Sequence, residues 1–336
     1  MTALTVALQT DKTIADYRAL ATQVRDLGFD GLSVYADLGF QPPLPALLTA
    51  AAHAPGLRLG AACMNPYLTH PLEIAGQSAT LLDAAAGNAY LGLVRGAWLR
   101  EAGVPTPRPL AALRDTITIV RRLLCGDDSG YSGAVYSLPA GQRLHYEPVA
   151  ADVDVLLGVW GPRGAALAGE MAQEVKIGGS VNPAMVALMR TWLDEASTAA
   201  GRGPGAVGIV AGAVTVVDDD GEAARALARR EVAMYVDVVA GLDRTVQVDP
   251  VLLQRLHDLL QAGKHDEAGA LLPDDLLEKF ALCGTPQQVA ARTVELLDAG
   301  ASRVEFGTPH GLTGPGGIDL LGREVVPMVR RELARG

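Results

Sequence analysis

Short runs of β-branched or apolar residues alternate along the chain with longer Ala- and Leu-rich stretches whose apolar positions recur with helical period. This alternation is the mark of parallel βαβ units rather than of a sandwich of hairpins. Eight strands are predicted, over 3–8, 31–36, 57–63, 89–94, 153–158, 174–179, 207–217 and 303–307. Eight strand–helix units, with no GxGxxG after the first strand, favour a closed (β/α)8 TIM barrel over a doubly wound sheet. Helix starts are marked in places. Thr285-Pro286 reads as an N-cap followed by proline, opening a helix that ends near Gly300, and Pro71 follows His70 at another helix start. Asp218 or Asp220 is positioned to cap a further helix, and the Asp run lacks the remaining spacing of a calcium loop.

Two stretches depart from the repeat. Residues 126–152 are rich in turn formers with alternating apolar positions, which predicts a hairpin before the fifth strand. Residues 241–282 carry an extra amphipathic helix and a charged linker. Both are expected as insertions at the C-terminal face of one barrel domain spanning 1–336, where catalytic loops gather.

Composition narrows the class. The chain has 336 residues, 49% of them hydrophobic, enough for one large core. A net charge of −10 and only four lysines (Lys12, Lys176, Lys264, Lys279) leave no basic stripe, so no nucleic-acid partner is expected. No apolar run reaches membrane-spanning length and the N-terminus lacks a signal pattern, which predicts a cytoplasmic protein with no membrane partner. Cys63, Cys125 and Cys283 are far apart and without clustered histidines, so they read as reduced core thiols, and no metal is expected.

Three stretches together carry a family resemblance: NPYLTHP at 65–71, GPRGAALAGE at 161–170 and RVEFGTPHG at 303–311. They resemble the F420-dependent branch of the bacterial-luciferase-like superfamily, typified by methylenetetrahydromethanopterin reductases. The resemblance implies a barrel that binds the deazaflavin coenzyme F420, with FMN and a two-component monooxygenase as the alternative. It implies hydride transfer to a small organic substrate, with reduction of a C=C or C=N bond preferred because alcohol-oxidising relatives carry a glutamate where this chain has Ala97. A homodimer is expected from the same resemblance and from the apolar outer helices.

The resemblance also assigns residues. Ala62, Cys63, Met64 and Asn65 end the third strand, where relatives form a bulge, with a cis peptide at 62–63, against the cofactor ring; the alternative is an ordinary Asn-Pro turn. Trp160, Gly161, Pro162, Arg163 and Gly164 mark a strand-to-helix turn whose backbone N–H groups can hold a phosphate. Gly178, Gly179, Ser180 and Asn182 form the next such turn, Ser180 or Asn182 also being a candidate helix cap.

The candidate catalytic residues are Asp37, Arg95, Glu305 and His310. Asp37 lies near where relatives have an Asp-His pair, with Leu38 replacing the histidine; it either contacts the ring or caps its loop. Arg95 ends the fourth strand, where it meets an anionic substrate or ring carbonyl, or else forms a rim salt bridge. Glu305 lies inside a barrel strand, a costly place for a carboxylate unless it pairs with an arginine or serves the site. His310 follows that strand and is the candidate proton carrier.

Overall fold

In a computed structural model, described over residues 2–335, the chain forms a closed parallel barrel. The strands are β1 (Ala3–Leu8), β2 (Gly31–Val34), β3 (Arg58–Ala61), β4 (Ala89–Val94), β5 (Tyr131–Ser132), β6 (Ser137–Leu138), β7 (Asp154–Gly158), β8 (Glu174–Gly178), β9 (Gly208–Val217), β10 (Ala281–Gly284) and β11 (Arg303–His310). The barrel closes in the order β1-β2-β3-β4-β7-β8-β9-β11 and back to β1, all pairs parallel. These eight are the strands expected from the alternating pattern.

The barrel helices are α1 (Ile14–Asp26), α2 (Pro43–His53), α3 (Pro71–Ala84), α4 (Pro109–Leu124), α5 (Gly161–Met171) and α6 (Pro183–Ala199). An excursion follows with α7 (Gly221–Val239), α8 (Pro250–Gln261), α9 (His265–Ala270) and α10 (Asp274–Phe280). The outer ring is completed by α11 (Pro286–Asp298), α12 (Gly314–Leu320) and α13 (Val326–Leu333), the last two joined by a π turn at Leu321–Val325. Local chemistry explains the helix starts. Thr285 and Gln288 form a reciprocal capping box on α11, His70 Nδ1 accepts the Leu72 N–H at 3.2 Å, and Asp220 accepts the Ala223 N–H at 3.0 Å.

The hairpin expected within 126–152 is the antiparallel pair β5–β6. It is fastened to α4 by buried Asp115, which accepts hydrogen bonds from Tyr131 Oη and from the N–H groups of Val135 and Tyr136. Tyr136 Oη then donates to Pro66 O at 2.6 Å, so the hairpin braces the segment that follows β3.

The second excursion differs from expectation. It begins at α7, not at 241, because α7 packs a separate core of Ala224, Ala228, Val232 and Val236 against Leu256, Leu277 and Phe280. Helical period alone does not separate such a helix from one lying on the barrel. The excursion ends in a strand that the pattern did not reveal: β10 lies parallel to the upper half of β9, Ala281 opposite Val214 and Gly284 opposite Val217. The lower half of β9 pairs with β8 on that side, from Gly208 to Gly212. β10 thus takes over where β8 ends.

Side chains fill the barrel interior in layers. At the N-terminal end, Glu174 accepts from Arg58 at 2.7 Å and from Arg303 at 3.0 Å, and both guanidiniums lie on the Tyr90 ring, 5.1 and 4.9 Å from its centre. The ring occupies the space beside Gly60, where a Cβ would fall 2.4 Å from Tyr90 Cζ. Among the described residues no helix is long and apolar enough to cross a membrane. Cys283 is buried, whereas Cys125 is exposed at the end of α4 and so is not a core thiol.

Candidate active site

A cavity of about 390 Å³ opens at the C-terminal ends of the barrel strands, the face on which barrel enzymes place their chemistry. Its floor is made by β3 and its neighbours. The Ala62–Cys63 peptide is cis, as the resemblance implied, and Ala62, Cys63 and Asn65 all line the cavity. Asn65 Oδ1 accepts the Tyr67 and Leu68 N–H groups at 3.2 and 3.0 Å, which fixes the turn behind the floor. Met64 departs from expectation. Its backbone pairs with β4 beyond the bulge, and its side chain points away from the cavity into packing with Leu44, Leu47 and Leu81. In extended backbone neighbouring side chains face opposite ways, so a bulge cannot present all four.

Cys63 is a neutral thiol, burial pushing its pKa up to about 12. It therefore belongs to the surface a ligand rests on rather than to the nucleophiles.

Around the floor, three barrel strands contribute glycine to the lining: Gly158 on β7, closely packed on Val94, Gly212 on β9, closely packed on Glu305, and Gly178 on β8, where a side chain would enter the space. A Cβ on Gly178 would meet only the Lys176 stem, at 3.7 Å. Lys176 lies one layer below on the same face of β8, opposite Gly158 in register. Lys176 lines the cavity, and its ammonium pairs with Glu305, which also accepts from Ser33 Oγ. Ser33 in turn shares a 2.7 Å hydrogen bond with Tyr90 Oη. Burial alone would raise the Glu305 carboxyl, but Lys176 and Arg303 outweigh it and hold the group below its ordinary value. Burial alone would likewise depress the Lys176 amine, and Glu305 outweighs that. The pair is charged.

Glu305 thus has a lysine rather than an arginine as its contact partner and does not itself line the cavity. Lys176 is the residue that sequence reasoning missed. The signal was present, since one of four lysines stands in the middle of a short barrel strand, flanked by Val175 and Ile177.

His310 is corrected more strongly. It is 2% exposed, lies outside the cavity wall, and its Nε2–H is shared between Ala7 O at 3.1 Å and Phe306 O at 3.2 Å. Burial pulls its pKa down to about 4, so it is a neutral, spent imidazole. Asp37 and Arg95 do line the cavity. Gln9 Nε2 donates to Asp37 Oδ2 at 2.8 Å. Arg95 forms no ion pair among the described residues, so its guanidinium is available at the mouth.

Of the two turns assigned to a phosphate, the first has Trp160 lining the cavity and starting α5 without any side-chain cap. The first-turn N–H groups of Gly161 and Arg163 are therefore without intrahelical partners, Pro162 having none to offer. Arg163 is exposed, and Gly164 allows close packing, a Cβ there falling 2.8 Å from Val159. Arg244, from the segment after α7, brings a guanidinium nitrogen to 3.8 Å from the Cβ position of Gly161.

The second turn divides. Gly178 and Gly179 line the cavity, but Ser180 and Asn182 are buried and turned away. Asn182 Nδ2 donates to Asp243 Oδ2 at 3.0 Å and to Thr245 Oγ1 at 2.8 Å, and its Oδ1 caps α6. Ser180 Oγ donates to the same carboxylate at 3.3 Å. They tie the second excursion to the barrel, through partners about sixty positions away that the sequence does not pair.

The upper wall is apolar. Trp98, Leu99, Leu110 and Leu113 line one side, and Tyr235, Val238, Val239 and Leu242 from the end of α7 line the other.

Comparison with known proteins agrees with this geometry. A 5,10-methylenetetrahydromethanopterin reductase of Methanolobus tindarius is 28% identical over 327 residues, covering 93% of this chain and 95% of that protein. The structure of a coenzyme F420-dependent tetrahydromethanopterin reductase from Methanopyrus kandleri superposes with a TM-score of 0.86 at 24% identity, over 97% of this chain and 99% of the other. An F420-dependent secondary alcohol dehydrogenase, solved with an F420–acetone adduct, superposes at 0.80 with 18% identity, over 98% and 99% of the two chains. The profile of the luciferase-like monooxygenase family matches residues 1–303, and the chain belongs to that family.

Proposed function

We propose that this protein is an F420-dependent oxidoreductase that reduces a C=C or C=N bond of a small organic substrate. The observation that carries the reading is the cavity above the Ala62–Cys63 turn, open beside Gly178, in a chain several of whose relatives and structural neighbours carry F420 in their names. The residues fit such a cofactor. The cavity lies within the range of cofactor pockets and is mostly apolar. The uncapped start of α5 offers N–H groups and the positive end of a helix dipole to a phosphate, without needing a basic side chain. Arg163 and Arg244 flank it for the acidic tail.

When bound, the deazaflavin supplies the hydride chemistry. The chain orients it. Ala62, Cys63 and Asn65 support one face of the ring, and the apolar walls from Trp98 to Leu113 and from Tyr235 to Leu242 exclude water from the other. Asp37, steadied by Gln9, presents its free Oδ1 to ring or substrate, while Arg95 meets an anionic group at the mouth. His310 has no part in proton transfer.

The test is titration with oxidised F420 and with FMN at moderate salt, followed by fluorescence. Preference for F420 is expected. FMN binding tenfold tighter, about 1.4 kcal/mol, would move the assignment to a flavin monooxygenase. Cys63→Trp is expected to abolish binding by filling the floor, and Cys63→Ser to leave it intact. A homodimer is proposed beside this reading, and light scattering that gives the mass of one chain would refute it.

A further inference from the structure

The environment of Lys176 is unlike that of the other buried charges. Around Glu174 the Tyr90 ring roofs both arginines, and the space beside Gly60 is filled by that ring. Around Lys176 the side towards the cavity is open: Gly178 stands above it with nothing but the Lys176 stem near its Cβ position, while Gly158 beside it packs on Val94 and Gly212 next along the wall packs on Glu305. An ammonium has three N–H donors. Glu305 accepts one, the Tyr35 ring centre lies 5.1 Å away, and no other acceptor meets the group among the described residues. A pair serving only the fold would be covered by packed side chains, since burying an ion with unused donors is costly. This one faces an open cavity beside the Cys63 floor.

We propose that Lys176 contacts the cofactor: its ammonium, seated by Glu305, donates a hydrogen bond to the ring of the bound deazaflavin and favours the ring's anionic form. The inference rests on the F420 reading and deepens it. The ring's 8-hydroxyl anion is delocalised over the conjugated system, so a fixed cation at any edge stabilises it and lowers its ionisation midpoint. The other ionisable groups near the ammonium are Tyr35, Tyr90, Cys63 and Arg303, with Asp37, Arg95 and Tyr235 higher on the wall. Burial raises all three phenols and the thiol, so they stay neutral through the working range. Lys176 is the cation of the cavity floor, and Glu305 is shielded behind it.

The test reads the visible absorption of bound F420 against pH in the wild-type holoprotein and in Lys176→Met/Glu305→Gln, which removes both charges and leaves no unpaired ion. The wild-type midpoint is expected at least one pH unit below that of the double variant, at unchanged melting temperature. Lys176→Arg is expected to restore most of the shift. Gly178→Val leaves the ion pair in place and fills the space above it. It keeps the test open if the charge-free variant does not fold, and at least tenfold weaker F420 binding is expected. An unchanged midpoint and affinity in the double variant, unchanged binding in Gly178→Val, or an effect confined to substrate KM would overturn the proposal while leaving F420 binding intact. Failure of the wild-type protein to bind F420 would overturn the functional reading itself.

Discussion

The two ends of the barrel interior both bury charge, and they treat it differently. At the N-terminal end, Arg58 and Arg303 share Glu174 and pack on the Tyr90 ring, with Arg303 Nε left without a partner and Arg58 reaching Asp154 as well. At the C-terminal end, the Lys176–Glu305 pair sits beside Gly158 and beneath Gly178, Gly212 and an open cavity. Charge packed against the Tyr90 ring serves the fold. Charge with unused donors facing open space is available to a ligand. The division matches the general split of barrels into a stability face and an activity face.

The contrast can be broken from below. Glu174→Ala leaves the buried Arg303 guanidinium without its carboxylate, while half-buried Arg58 keeps Asp154, and a loss of about 3 kcal/mol in unfolding free energy is expected from urea titration. F420 affinity measured on the folded fraction should not change. A comparable loss of affinity would show that the lower layer belongs to the site.

A second effect is set by pH. His310 has its pKa held at about 4 when folded and returns to about 6.5 when unfolded. Below pH 6.5 the unfolded chain binds the extra proton, so stability falls as pH drops, and it levels off once pH passes below about 4. The full loss is on the order of 3 kcal/mol. His310→Asn, chosen because the position has a positive φ of 76°, should flatten that part of the stability–pH curve. A curve of unchanged slope would refute the neutral, sealed imidazole.

Smaller effects should appear at the rim. Asn182→Ala removes the tie to Asp243 and the cap of α6, at a cost of about 1–3 kcal/mol, and should also loosen the wall formed by Tyr235 and Val239. Thermal melts and ligand titration would separate the two consequences. Arg95→Ala should weaken binding of an anionic ligand by roughly tenfold, about 1.4 kcal/mol, with melting temperature unchanged. The same affinity in the variant would remove Arg95 from the site.

Much of this contrast was legible in the sequence. The eight barrel strands, the hairpin before β7, the caps at Thr285, His70 and Asp220, and the turn at Ala62–Cys63 all follow from local pattern or from the family resemblance. What was not legible depends on partners distant in sequence. The burial of His310 is decided by carbonyls at Ala7 and Phe306, so residue type alone pointed towards proton transfer. Asn182 and Ser180 were read as a ligand-facing turn because Asp243 is out of local view. Met64 was read with its neighbours because a bulge's side-chain directions are a matter of backbone geometry. β10 has only four residues, and its pairing with β9 has no trace in its own composition.

The arrangement of β9 and β10 bears on how such a protein can acquire a new specificity. The chain leaves the barrel after Val217 and comes back at Ala281, beside Val214 of the strand it left. Ala281 lies one strand spacing, roughly 4.8 Å, from Val214, and three residues of β9 separate Val214 from Val217, so the two ends of this excursion are anchored roughly 11 Å apart. Closing a flexible segment between such fixed points costs only about 0.6 kcal/mol more for each doubling of its length. The stretch 218–280, which carries the Tyr235–Leu242 wall of the cavity, is therefore expected to behave as an exchangeable cassette wherever its ties through Asp243 to Ser180 and Asn182 are kept. It can be lengthened, shortened or grafted from a relative while the eight-stranded closure beneath it, and the floor on which a cofactor would rest, remain as they are.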